Sequence, residues 1–193
     1  INAAGEGTYT LANGQANVQA LSQGQTVTDT VTVQAVDGTT QAITLTVKGT
    51  NDGPVLSGIV NQTRSEGTGN HSIDLLAGAS DVDGDHVLSV SGVSTLPAGF
   101  SVTDSTLTVD TSDGAFNSLA AGQSQTVLIT YQVTDNHGAS VNQTALVTIN
   151  GSNDAPTVSA DISASGTEDG GSVVVGLLAN ASDPDAGTAL HAS

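Results

Sequence analysis

Gly49-Thr50-Asn51-Asp52-Gly53-Pro54 returns, 102 residues on, as Gly151-Ser152-Asn153-Asp154-Ala155-Pro156. The Asn-Asp pair offers hard oxygen donors, and the proline behind it fixes its own φ and biases the preceding residue toward extended backbone. Placed at the end of one β-rich segment and the start of the next, this hexapeptide predicts a linker stiffened by a metal ion.

Two further landmarks share that spacing. Leu75-Leu76-Ala77-Gly78-Ala79-Ser80-Asp81-Val82-Asp83 maps onto Leu177-Leu178-Ala179-Asn180-Ala181-Ser182-Asp183-Pro184-Asp185, and Glu66 onto Glu168. Fixed-period self-similarity is the mark of a repeat protein. A fourth pair, Leu21-Ser22-Gln23-Gly24-Gln25 against Leu119-Ala120-Ala121-Gly122-Gln123, is offset by 98, so the copies differ by four residues. The expected place for that difference is the Asn136-His137-Gly138 turn, where the first copy reads Asp37-Gly38. Residues 1–51 then hold the back half of a repeat, 52–153 a complete one, and 154–193 the front half of a third.

Within each unit the pattern is β. Residues 26–33 and 43–47 alternate apolar with polar at period two, as do 127–133 and 145–149. Thr and Val dominate, the turns carry Asp-Gly, Asn-Gly and Ala-Gly, and no amphipathic helix stands out. Short helical pieces are expected at Leu75-Leu76 and at 116–121. The predicted class is all-β, a tandem array of Greek-key sandwiches of about seven strands each.

Composition narrows the function. Aromatic residues are 2% of the chain and Cys, Met and Trp are absent, so the core is built from Val, Ile, Leu, Ala and Thr. Such side chains bury little apolar area each, at about 25 cal/mol per Å², and bound ions would add stability. Nineteen acids against two bases, Lys48 and Arg64, give a net charge of -17. That field repels phosphate backbones and anionic membrane surfaces, and it excludes nucleic acid as a partner. Charged residues are nevertheless only 11% of the chain, too few for a disordered acidic tail. Without a long apolar run or a basic-apolar leader, the sequence predicts a soluble piece of a longer protein, with no direct membrane insertion. Five Asn-x-Ser/Thr triplets, at Asn61, Asn70, Asn142, Asn150 and Asn180, are what chance supplies in a chain rich in Asn and Thr.

The acids form a recurring set. The first joint is expected to draw on Asp37, Asn51, Asp52, Glu66, Asp81 and Asp83, the second on Asp135, Asn153, Asp154, Glu168, Asp183 and Asp185. Each joint thus holds four Asp, one Glu and an Asn. Five carboxylates packed together repel unless a cation sits among them, and an oxygen-only set of this size suits Ca²⁺ better than Mg²⁺. Turn chemistry explains any single Asp or Asn here. It does not explain Glu66 and Glu168, or two Asp-x-Asp pairs at matched offsets. Asp81-Val82-Asp83-Gly84-Asp85 is no EF-hand, since the sixth and twelfth loop positions are His86 and Gly92.

At these residues the chain resembles the VCBS and cadherin-like repeats of very large bacterial surface proteins, including RTX-type adhesins. The resemblance rests on the linker and on Val18-Gln19-Ala20-Leu21-Ser22-Gln23-Gly24-Gln25, Asp29, Asp37-Gly38, and Tyr9 in Gly7-Thr8-Tyr9-Thr10-Leu11. It implies an Ig/cadherin-like sandwich at the cell surface, with calcium between successive domains. The Leu-Asp-Arg-Glu motif of animal cadherins is replaced by Val109-Asp110-Thr111-Ser112-Asp113-Gly114-Ala115-Phe116, and the nonapeptide calcium repeat of RTX tails is absent.

Placing residues 154–193 ahead of 1–51 rebuilds almost a full repeat. Two arrangements follow: a window of a long tandem array, flanked by neighbouring repeats, or identical subunits joined head-to-tail in a filament by strand complementation. The function predicted is a calcium-rigidified extracellular spacer or filament subunit, with any glycan or host-cell ligand bound elsewhere in the full protein. A carbohydrate-binding sandwich module is the alternative, although sugar faces call for aromatic platforms. An enzyme fits least: the acids recur at joints rather than in one cleft, and His71, His86, His137 and His191 lack metal-ligand spacing.

Overall fold

The computed structural model describes residues 5–192. The outermost positions of the two expected half-repeats, residues 1–4 and Ser193, lie outside the described residues. Alternating Thr and Val put one side chain in two on each face of an extended chain, and strands form where the period-two pattern runs.

The chain opens with a single helical turn, α1 (Ala16–Gln19), and a hairpin of β1 (Thr26–Gln34) and β2 (Thr40–Lys48). Then follow β3 (Val55–Leu56), β4 (Val60–Ser65), β5 (Asn70–Asp74), β6 (Ala79–Ser80), β7 (Ser89–Ser91), β8 (Phe100–Thr103) and β9 (Thr106–Asp110). The long pair β10 (Ser124–Thr134) and β11 (Ser140–Asn150) closes the middle repeat, and β12 (Thr157–Val158) and β13 (Ala181–Ser182) belong to the last segment. The sheet orders are β4-β11-β10-β7 and β5-β9-β8, and β1-β2, β3-β6 and β12-β13 are separate two-stranded sheets. Four strands and three make up the seven of the expected sandwich, and the fold is an all-β, Ig-like one. Where short helices were expected, Leu75-Leu76 and 116–121 are hydrogen-bonded turns instead.

Two compact units emerge from the contacts. One takes the chain up to Gly58, Leu76–Gly92 and Tyr131–Gln143; the other takes Ile59–Leu75, Val93–Thr130 and Thr144 onward. In the second, Ala145, Val147 and Ile149 are buried at alternate positions of β11, with Leu107 and Val109 of β9, Ile73, Val60 and Ile129. Phe116 is the largest apolar side chain in this core and meets Phe100 edge-on, with ring centroids 6.1 Å apart. Gly99 must be glycine here, since its φ is +79° and a Cβ would press on the Phe116 ring. In the first unit the buried apolar side chains are Leu21, Tyr131 and Val133.

The two hairpins correct one expectation. The difference between copies does not sit in the turn: Ala35 N–H donates to Thr39 at 2.7 Å and Asp135 N–H to Ala139 at 3.0 Å, so both turns have the same length. Instead β1 and β2 have 9 residues each, and β10 and β11 have 11. An antiparallel hairpin tolerates extra residues most easily as matched additions, and two per strand leave every side chain on its original face.

Candidate metal centre

Both Asn-Asp linkers enter the same set of bonds. Asp52 N–H donates to Asp83 Oδ2 at 2.9 Å, and Asp154 N–H to Asp185 Oδ2 at 3.0 Å. Asp83 N–H donates in turn to Asp81 Oδ1 at 3.0 Å, and Asp185 N–H to Asp183 Oδ1 at 2.9 Å. The residue after each Asp-x-Asp pair reaches back to the preceding segment: Gly84 N–H to the Ala20 carbonyl at 3.0 Å, Ala186 N–H to that of Ser118 at 3.1 Å. A constant spacing in sequence has become a constant geometry, because a short polar loop held at both ends by backbone bonds has few other ways to fold.

Around the first linker stand Asn51, Asp52, Asp81, Asp83 and Asp135. The Asn51 amide donates to Asp135 Oδ2 at 2.9 Å, while Asp135 Oδ1 accepts the N–H groups of His137 and Ala139 at 2.8 and 2.9 Å. Burial on its own would raise the Asp135 pKa. The Asn51 amide and the backbone N–H groups outweigh it and hold the carboxyl below its ordinary value.

Around the second linker stand Glu66, Asp154, Asp183 and Asp185. Ser152 N–H donates to Glu66 Oε2 at 3.1 Å, which brings the glutamate to the linker that follows its repeat. Asn153 turns its amide to the Asp154 carbonyl at 2.8 Å.

Asp135 and Glu66 therefore stand at the opposite joints from those expected. Glu168 and Asp37 are exposed, and neither is drawn into a cluster. Asp37 accepts Thr39 N–H at 2.9 Å, which holds its pKa low, at the tip of the first hairpin. The hairpin's register runs from Thr26↔Lys48 to Gln34↔Thr40, so that tip is about 25–30 Å from the linker end.

Glu66, Asp83 and Asp185 are 5%, 2% and 4% exposed. Among the described residues, the buried side-chain oxygens without a hydrogen-bond partner are Asn51 Oδ1, Glu66 Oε1, Asp81 Oδ2, Asp83 Oδ1 and Asp185 Oδ1. Every one belongs to a residue expected to bind calcium. An unsatisfied buried carboxylate oxygen costs free energy that a cation would recover, so the donor chemistry fits the ion. The full expected set of five carboxylates and an asparagine is nonetheless not assembled. Among the described residues no three His, Cys, Asp or Glu side chains stand close enough together to form a ready metal-holding group.

The sequence reading missed Ser22, buried, whose Oγ accepts Asp85 N–H at 3.4 Å, and Asn136, which bonds both Val87 N–H and the Asp85 carbonyl. It also missed the Ala20 and Ser118 carbonyls. A backbone acceptor leaves no trace in residue type; only the offset of 98 between these two positions, shared with Leu21 and Leu119, pointed to them.

No curated protein matches the chain. Among solved structures, extracellular cadherin domains 1–4 of protocadherin gamma B7 are similar at 17% identity with a TM-score of 0.41. That match covers 79% of this chain and 39% of the protocadherin, so the chain spans about two fifths of its length. The family model described as bacterial Ig domain matches residues 51–150, from the first Asn-Asp linker to the end of β11, and the chain belongs to the bacterial Ig domain family.

Proposed function

We propose that this chain is an extracellular structural repeat of a bacterial surface protein, of the VCBS and cadherin-like kind, whose joints are stiffened by calcium. Membership of the bacterial Ig family supports the coarse reading, a structural or adhesion-type module. The calcium reading is carried by one observation: the partnerless buried oxygens coincide with the recurrent acids of the two linkers. Asn51, Asp81, Asp83 and Asp135 would hold an ion at the first joint, and Glu66, Asp183 and Asp185 at the second, with the Asn-Asp pairs beside them. Neither basic side chain is suited to replace it: Arg64 donates to its neighbour's carbonyl, on Thr63, at 2.8 Å, and Lys48 lies exposed on β2.

Mechanically, the linker, the Asp-x-Asp loop and the acid of the adjoining strand end would hold the ion between them, and its charge would offset their mutual repulsion. Without it, like charges drive these pieces apart and the joint flexes. A glycan-binding role is less well supported, because Phe116 and Tyr131 are buried. The test is a thermal melt in calcium and in excess chelator, together with calorimetric titration. A ligand bound only by the native state raises the midpoint by mass action, worth about 2.7 kcal/mol at a hundredfold excess over Kd. An unchanged midpoint and no binding heat would overturn the reading.

A further inference from the structure

The sequence holds two Asn-Gly pairs, Asn13-Gly14 and Asn150-Gly151. Such a pair carries its own reaction. With no side chain on the second residue, the backbone nitrogen that follows the asparagine reaches its Cγ with little hindrance, since glycine adds no bulk and restricts neither φ nor ψ. Residue type ranks the two pairs as equals. Their hydrogen bonds separate them.

Asn150 is the last residue of β11 and stands in register with Ser65 of β4. The peptide group after it is held at both ends: the Asn150 carbonyl accepts Glu66 N–H at 2.9 Å, and Gly151 N–H donates to the Gln123 carbonyl at 2.9 Å. Gly151 is also packed against the Leu119 and Ala120 carbonyls. Its nitrogen cannot turn toward the Asn150 side chain without leaving backbone groups unpaired.

Asn13 and Gly14 are the central residues of an exposed turn, closed by Gln15 N–H on the Ala12 carbonyl at 3.0 Å. Asn and Gly suit such a turn because both tolerate its backbone angles. The Asn13 carbonyl accepts Gln19 Nε2 at 2.8 Å, whereas Gly14 N–H has no hydrogen-bond partner among the described residues. A Cβ built on Gly14 would meet nothing within 4 Å. The nitrogen is therefore free, and the space around it is open.

We propose that Asn13 is a site of intramolecular deamidation, at which the chain modifies itself with water as the other reactant. Gly14 N attacks Asn13 Cγ and gives up its proton; the bond from Cγ to the side-chain nitrogen breaks, and ammonia leaves with that proton. A five-membered succinimide remains. Water then adds to one of the two ring carbonyls and opens it, without oxidation or reduction. Attack at Cγ gives aspartate. Attack at the former backbone carbonyl gives isoaspartate, in which the main chain runs through Cβ and Cγ and the carbonyl that Gln19 holds becomes a free carboxylate.

Either product replaces a neutral amide with a negative charge. Asn13 lines a groove of about 180 Å³ together with Gln19, Leu21, Lys48, Thr50 and Asp52. The new carboxylate thus enters a groove that already holds a basic side chain and the aspartate of the first linker. Neither step involves a metal, so the inference stands apart from the calcium reading.

The test keeps the 193-residue chain at mildly alkaline pH, folded or in urea, and follows it by peptide mass spectrometry. In the folded chain Asn13 is expected to gain the mass of an amide-to-acid exchange several-fold faster than Asn150, with aspartyl and isoaspartyl forms told apart by electron-transfer fragmentation. In urea the two rates are expected to converge, because each site is then an unconstrained Asn-Gly pair. Equal rates in the folded chain, or one ratio with and without urea, overturn the inference. Gly14→Ala places its methyl in open space and is expected to slow conversion of Asn13 several-fold while the melting midpoint stays put. The wild-type rate in a variant with an unchanged midpoint would show that Gly14 N is not the nucleophile, and that also overturns it.

Discussion

The Asn51 amide donates to Asp135 Oδ2 at 2.9 Å across 84 positions of sequence. One carboxylate thus closes its own hairpin turn with Oδ1 and clasps the linker with Oδ2, tying the end of β10 to the start of the repeat. Removing the amide leaves half of a charged acceptor without its partner. Asn51→Ala is expected to cost about 1.5–3 kcal/mol in calcium-free buffer, read from urea unfolding. A loss within error of zero would show that water replaces the amide at no cost.

The same contact sets a pH dependence. Asp135 is held below the ordinary value of 3.8, so the folded state favours its charged form. Its contribution is fully present above that value and is lost as the pH falls through the lower folded pKa. In acid titrations without calcium, wild type is expected to lose stability more steeply than Asp135→Asn in that window. Parallel curves would place the clasp's energy elsewhere.

If the linkers hold calcium, single substitutions should silence one joint at a time. Asp83→Asn and Asp185→Asn each keep the side-chain shape and the acceptor for the linker N–H, yet remove a charge from one centre. Calorimetry is expected to show fewer bound ions in each variant and fewer still in the double variant. In chelator, relief of repulsion should leave the melting midpoints equal to wild type or higher. Full calcium response in both single variants contradicts the assignment.

Gly151 approaches the preceding segment so closely that a Cβ would collide with the Leu119 and Ala120 carbonyls, and Gly49 does the same with Leu21 and Ser22. The obstacle is backbone, which cannot swing aside as a side chain does. Gly151→Ala is expected to destabilise by at least about 1–3 kcal/mol. Chemical denaturation checks it, and a neutral effect would mean that the linker slides.

Burial separates two residues of like sequence pattern. Ile149 is fully buried on β11, and Ile149→Ala is expected to cost about 2–5 kcal/mol. Ile43 projects into solvent from β2, so Ile43→Ala should change the stability of dilute chain by no more than about 0.5 kcal/mol.

Much of this was legible in the residues alone. Alternating Thr and Val announce strands because a pleated chain has two faces, and Val127 to Val133 and Ala145 to Ile149 duly lie within β10 and β11. The repeated hexapeptide and the Asp-x-Asp pairs at matched offsets pick out the residues that bond to one another at each linker, while Asp37 and Glu168, chosen by the same logic, lie outside both sets. These are local or periodic properties, written wherever a residue stands relative to its neighbours in the chain.

Tertiary structure alone decided who meets whom. A strand of 11 residues separates its two ends by about 35 Å, so acids close in sequence can serve different joints. Glu66 was expected beside the linker that precedes it and bonds to Ser152 in the one that follows; Asp135 bonds back to Asn51. The four extra residues likewise lengthen two paired strands rather than the turn, because pairing couples insertions on both sides of a hairpin. Sequence order records which donors exist, whereas the direction of each strand determines the end of the sandwich to which they are delivered.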